Sequence, residues 1–304
     1  MLETGEQPSS EAQAGALLLM PSASGALRED VDALVRDVKD LPPMPAVIMR
    51  AMEAVQNPDV PIMTLQRLIS QDQALSAKIL KIVNSAMYSL RCEVSTVSHA
   101  VSVLGVNTVK AVVMAASVEW IFHTAKDLGQ KLMAEHSWGT ALAARAIARR
   151  IRYENVEEAL IAGLMHDIGK PVMMKNLRDR YETILGEVYA NRADFHGQEM
   201  AIFGFSHAHV GSLLARRWNF PPQLVQTVLY HHAPEAAPEY AQLANIVNLG
   251  NLLMVKMGIG FEKNGELLPE STPAAVALNL DEADLREVSV EVETMLEATT
   301  ALRK

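Results

Sequence analysis

The sequence predicts an all-α protein, and three observations carry that prediction. Apolar residues recur at helical spacing, as where Val31, Leu34, Val35 and Val38 follow i, i+3, i+4, i+7. No segment alternates Val, Ile or Thr with polar residues between hairpin turns, so a sheet is not expected. Pro, Gly and Asn punctuate the chain at helix-plus-turn intervals, which suits a bundle.

Bulk properties narrow the class further. The chain has 304 residues, 49% of them hydrophobic, enough for a sizeable core. A net charge of −9 argues against a nucleic-acid partner, because phosphate binding needs clustered Lys and Arg. Arg145, Arg149, Arg150 and Arg152 form a local basic run, read as a solvated helix face. One cysteine, Cys92, excludes an internal disulfide framework and fits a reducing compartment. The short apolar run at 16–20 lacks a basic leader, so it is not read as a signal peptide. No stretch approaches the roughly 20 apolar residues of a membrane helix. The expectation is a soluble, cytoplasmic protein.

In order along the chain, residues 1–28 are rich in Ser, Gly, Ala, Gln and Glu and are read as a mobile tail. A helix follows from Glu29, and Pro42, Pro43 and Pro45 open the next, which ends at Asn57-Pro58. Further helices are expected over 62–70, 72–85, 95–104 and 107–122. A second block starts near Asp127 with a long helix to about Arg152. Asn155 with Glu158 resembles a capping box and starts a helix ending near His166. Ser206 caps a helix to about Trp218, and Pro221-Pro222 opens one running to His231-His232. A helix from about Glu239 to Met257 follows. Residues 258–275 read as a loop, and Asp281 caps a last helix.

Six groups of metal-ligand type fall on or at the ends of these helices: His136, His166, Asp167, His207, His231 and His232. Helix bundles build metal sites from inward side chains of several helices. Imidazole suits Zn, Fe and Ni, and a carboxylate suits Mn and adds charge. An ion so held lowers the pKa of bound water and supplies a hydroxide nucleophile. Lys170, four residues after His166, either meets an anionic substrate or is solvated. The blander alternative stands beside this, since a histidine at a helix C-terminus, such as His232, is commonly a dipole partner. His99, His123, His196 and His209 are histidines that the site does not need. Sixteen Met residues, among them Met44, Met49, Met52, Met63, Met114 and Met133, read mainly as core filling. Asn245, Asn248 and Asn251 put a polar row at i, i+3, i+6 on an otherwise apolar helix. Buried amides need partners, so the row makes interhelical hydrogen bonds or faces the His/Asp cluster.

Several linked motifs carry a family resemblance. Leu41-Pro-Pro-Met-Pro, the run from Leu68-Ile-Ser-Gln-Asp to Val83-Asn-Ser-Ala-Met-Tyr-Ser, and His99-Ala-Val-Ser-Val-Leu-Gly resemble the start of an HDOD domain. The likeness continues through Leu164-Met-His-Asp-Ile-Gly-Lys, Phe203-Gly-Phe-Ser-His-Ala-His-Val-Gly, Tyr230-His-His and Leu278-Asn-Leu-Asp-Glu-Ala-Asp-Leu. HDOD domains are related to the HD and HD-GYP phosphohydrolases. The resemblance implies an N-terminal helical bundle subdomain (29–126) packed on an HD-like helical subdomain (127–304). It also implies a role in bacterial signalling, with other signalling proteins as partners and the HD metal ligands commonly eroded.

By motif matching, His136 takes the first-helix histidine position and His166-Asp167 the HD pair. His207 and His231-His232 match further ligands of the HD-GYP pattern. The last ligand, an aspartate in HD proteins, falls on Asn251, which offers a neutral carbonyl oxygen. The GYP loop is absent after His232, where Ala-Pro-Glu-Ala-Ala-Pro stands. The expected function is a non-catalytic regulatory module with a divalent metal (Fe, Mn, Zn or Ni) at a degenerate HD site. The alternatives are a metal-dependent phosphohydrolase or phosphodiesterase, with Asp167 and Lys170 as candidate catalytic residues, and a metal-free scaffold with a hydrogen-bonded histidine core.

Overall fold

The computed structural model describes residues 46–301 apart from 58–59, 89, 123–127 and 192. The expected tail, the helix from Glu29, Met44 and His123 lie outside the described residues. Among the described residues all regular structure is helical.

The N-terminal half is built around one apolar helix. α1 (Ala46–Gln56), α2 (Ile62–Ser70), α3 (Gln73–Val83) and α4 (Val97–Leu104) lead to α5 (Val106–Phe122). Asp72 caps α3 by accepting from the Leu75 N–H at 2.8 Å, and Thr96 caps α4 by accepting from the His99 N–H at 3.1 Å. The Asn84 side chain pins the intervening turn: it donates to Leu80 O and Val94 O and accepts from Val94 N–H at 2.7 Å. α5 buries Val109, Val112, Val113, Ala115, Ala116 and Val118 around its circumference, as a central helix must. α1, α3 and α4 pack on it, and its other side meets the second half.

The second half pairs α6 (Leu128–Arg150) with α7 (Val156–Met165) and α13 (Ala241–Met257). Small residues allow close approach. A Cβ on Gly163 would lie 2.8 Å from Ala141 Cα, and one on Gly250 would lie 3.2 Å from Thr140 O. Between α7 and α13 run α8 (Gly169–Asn176), α9 (Arg178–Asn191), α10 (Phe195–Phe203), α11 (His207–Arg217) and α12 (Pro222–Tyr230). α14 (Pro273–Leu278) and α15 (Glu282–Ala301) close the chain, with α15 lying on α6. The two halves are joined where Arg145 donates to Glu157 Oε1 at 2.8 Å and to Met87 O, while Tyr88 OH donates to Glu157 Oε2.

Several local expectations change. Asn155 precedes α7 but makes no side-chain cap hydrogen bond; the Glu158 carboxylate instead accepts from Tyr153 OH and the Gln223 amide. The arginine run is a solvent-exposed face at Arg149, Arg150 and Arg152, as expected, with Arg149 and Arg150 also meeting Glu291, Asp284 and Glu287 of α15; Arg145 alone is half-buried, on Glu157. Residues 258–275 are not loop throughout, because a 3₁₀ turn at Pro269–Ser271 and the start of α14 fall inside them. Met52, Met114 and Met133 fill the core as expected, whereas Met49 and Met63 are exposed.

Candidate metal centre

Each candidate side chain sits where a helix starts, ends or crosses another. His136 lies on α6, and His166 and Asp167 form the turn between α7 and α8. His207 is the first residue of α11, behind the Ser206 cap. His231 and His232 form the turn that follows α12, and Asn251 lies on α13. Gly169 brings the second and third of these together: its Cβ, if present, would lie 2.0 Å from the His207 carbonyl oxygen. Only a residue without a side chain lets α8 cross α11 there.

The outer nitrogens of four imidazoles are held by acceptors. Nδ1 donates to Ile259 O from His136 (3.0 Å), to Gly163 O from His166 (2.7 Å) and to Val228 O from His231 (2.7 Å). Nδ1 of His207 meets Glu199 Oε2 at 2.6 Å. A backbone carbonyl only accepts, so in His136, His166 and His231 the proton sits on Nδ1 and the Nε2 lone pair points inward.

The inner nitrogens converge. Nε2 of His136 and His166 are 3.3 Å apart, those of His207 and His231 are 3.4 Å apart, and those of His232 and His207 are 3.0 Å apart. Asp167 stands between the two groups, with Oδ2 3.3 Å from His166 Nε2 and Oδ1 3.1 Å from His207 Nε2. Within His136, His166 and Asp167, and again within His207, His231 and His232, the ligand atoms lie within 4.8 Å of one another. Asp167 Oδ1 is buried and accepts no hydrogen bond of good geometry. Facing lone pairs repel, and an unsatisfied carboxylate oxygen is costly to bury. A divalent ion relieves both, so the donor set fits one.

The electrostatics follow from burial and this crowding. Burial lowers His136 to about 4, against the pull of Asp167. Burial and neighbouring imidazoles hold His231 and His232 well below the ordinary histidine value. Asp167 lies well below the usual carboxylate range, because His166, Lys170 and His207 together outweigh its burial. His207 runs the other way: burial opposes its charge, but Glu199 and Asp167 raise it to about 9. A proton on His207 thus supplies some of the positive charge that the site lacks without an ion.

Asn251 Oδ1 lies 2.9 Å from His136 Nε2, so the end of the asparagine row does face the cluster. Asn248 donates to His231 O and orients that turn, whereas Asn245 bonds within its own helix. Lys170 is not solvated: it is buried, donates to Asp167 Oδ2 at 2.8 Å and lies 4.5 Å over the Phe195 ring. A cleft of about 420 Å³ is lined by His232, Asn248, Asn251, Glu262 and Lys263 among others.

Some residues near the centre had no sequence signal that singled them out. Glu199 is fully buried and holds His207. Glu262 accepts from the Phe195 N–H, and burial raises its pKa. His196, read as unneeded, has its ring centroid 4.5 Å from that of His232. His209 instead joins the Ser206 cap, its Nδ1 accepting from the Ser206 N–H at 3.2 Å.

Comparison with known proteins agrees with this architecture. A family model of the HDOD domain matches residues 41–234. A solved HDOD domain protein from Geobacter sulfurreducens is 27% identical, with a TM-score of 0.76 over 91% of this chain and 98% of that one. A candidate metal-dependent phosphohydrolase from Shewanella amazonensis SB2B shares the fold at 19% identity, with a TM-score of 0.64 over 90% and 97% of the two chains. A Treponema pallidum protein is 28% identical over 222 residues, which is 71% of this chain and 42% of that protein. This chain therefore spans less than half the length of that relative. With the matched segment covering well over half of its residues and the fold agreeing throughout, the chain belongs to the HDOD domain family.

Proposed function

We propose that this protein is a signalling module whose second half binds divalent metal, with one or two ions held by His136, His166, Asp167, His207, His231 and His232. One observation carries the reading: four imidazoles have Nδ1 fixed by acceptors, and those of His136, His166 and His207 turn Nε2 onto the two oxygens of a single buried aspartate, while His231 turns its own onto His207 Nε2. A bound ion there supplies Lewis acidity and structural cross-linking of α6, α8, α11 and α12. A regulatory role is favoured over turnover. Asn251 is neutral where the HD pattern has a carboxylate, and Lys170 is already engaged by Asp167.

A second reading, a phosphohydrolase, is favoured by the cleft that exposes His232 and Asn251 to small molecules. The name of the Shewanella protein points the same way. Elemental analysis of protein purified without chelator, beside Asp167→Ala, tests the metal. Stoichiometric metal lost in the variant supports the centre. Metal in neither sample rejects it and leaves a metal-free helical module. Turnover of phosphodiesters by the metal-loaded wild type, absent in Asp167→Ala, would replace the regulatory reading by the hydrolase.

A further inference from the structure

Three of the four fixed imidazoles lean on neutral backbone carbonyls, and one does not. His207 leans on Glu199, a side chain with no solvent exposure. Glu199 Oε2 accepts from both the His207 N–H (2.7 Å) and the His207 Nδ1 (2.6 Å), and Oε1 accepts from Tyr181 OH at 2.6 Å. All three partners donate, so the carboxylate is ionised and its orientation is fixed. Tyr181 is itself buried and stacks on Phe195 with centroids 6.1 Å apart, which leaves the carboxylate little freedom to rotate.

We infer that Glu199, backed by Tyr181, is a positioning residue for the metal centre, and that it makes the His207–His231–His232 group the tighter of two unequal metal subsites. The inference rests on the metal reading above. A carboxylate behind an imidazole fixes its tautomer and raises its basicity as a ligand, and loss of such a partner weakens metal binding roughly 10–100-fold. The other group gains no such charge: His136 and His166 are backed by Ile259 O and Gly163 O, and their fourth neighbour is the neutral Asn251. Asp167 offers one oxygen to each group, Oδ2 to His136 and His166 and Oδ1 to His207, so the carboxylate behind His207 is the charge that only one group has.

The test is a Co(II) titration of the full chain, followed by visible absorption and by bound metal after gel filtration. The wild type is expected to show a tight and a weaker class of site. His231→Ala should abolish the tight class, and His136→Ala should spare it. Glu199→Gln should weaken the tight class roughly 10–100-fold and alter its absorption bands. Tyr181→Phe should do the same to a smaller extent. An unchanged tight class and spectrum in Glu199→Gln overturns the inference, as does a loss confined to the weaker class. If Glu199→Gln does not fold, Tyr181→Phe decides, and unchanged affinity and bands there overturn the inference. A wild type that takes up no Co(II) at all removes the metal reading itself, a failure distinct from the others.

Discussion

Asp167 Oδ1 and His207 Nε2 lie 3.1 Å apart, at a crossing of two helix starts where Gly169 meets Gly211 and the His207 carbonyl too closely for a side chain. The other oxygen of Asp167 serves His166 and Lys170. One carboxylate is therefore shared by two histidine groups and one ammonium, and the centre depends on it more than on any single imidazole.

Removing that carboxylate should have two separable effects. Asp167→Ala leaves the buried Lys170 ammonium without its partner, an expected loss of about 3–5 kcal/mol even in chelator. Adding Lys170→Met should recover most of that stability, because the stranded charge is gone, but should not restore metal. Urea unfolding in chelator and elemental analysis read the two effects. A double variant as unstable as the single one contradicts the pairing.

Asn251→Asp should tighten metal binding at least tenfold, about 1.4 kcal/mol, by returning a charge beside His136. In chelator the same change should lower the melting temperature, because it sets a second carboxylate near Asp167. Melting with Mn(II) and with chelator should therefore move in opposite directions. An unchanged affinity would show that Asn251 does not reach the ion.

Two glycines give opposite predictions for the same substitution. Gly169→Ala forces a methyl into the His207 carbonyl and should cost at least about 1–3 kcal/mol while separating Asp167 from His207. Gly186→Ala, inside α9 with nothing within 4 Å of the added Cβ, should stabilise by about 0.4–1 kcal/mol. Comparative thermal melting reads both, with metal content measured for Gly169→Ala.

Metal-free stability should peak near neutral pH. His136 and His209 are depressed to about 4, chiefly by burial, so their contribution is whole above about 6.5 and is lost as pH falls towards 4. His207 is raised to about 9 despite burial, by Glu199 and Asp167, so its contribution is whole below about 6.5 and is lost as pH rises through 9. Denaturation midpoints in chelator from pH 4.5 to 9.5 check this. His209→Gln should flatten the acid limb, and a flat profile in the wild type would refute both assignments.

What the sequence determined by itself was local. Hydrophobic period, proline and caps located α2, α4, α5, α11, α12 and the Asp281 start of α15, because these signals act within a few residues. Residue type and motif order nominated the histidines and Asp167. Three helices between Gly169 and Phe203 escaped notice, since their apolar stripes are short and mixed with charge. The tertiary structure alone decided which polar groups meet. Glu199 is eight residues from His207 in sequence and became its partner through the fold of α10 against α11. Lys170 was drawn inward because Asp167 offered an ion pair in a space closed to water. Arg145 left the solvent because Glu157 of the neighbouring helix neutralised it. Such pairings depend on how closely helices approach, which glycines at 163, 169 and 250 set and no local pattern announces.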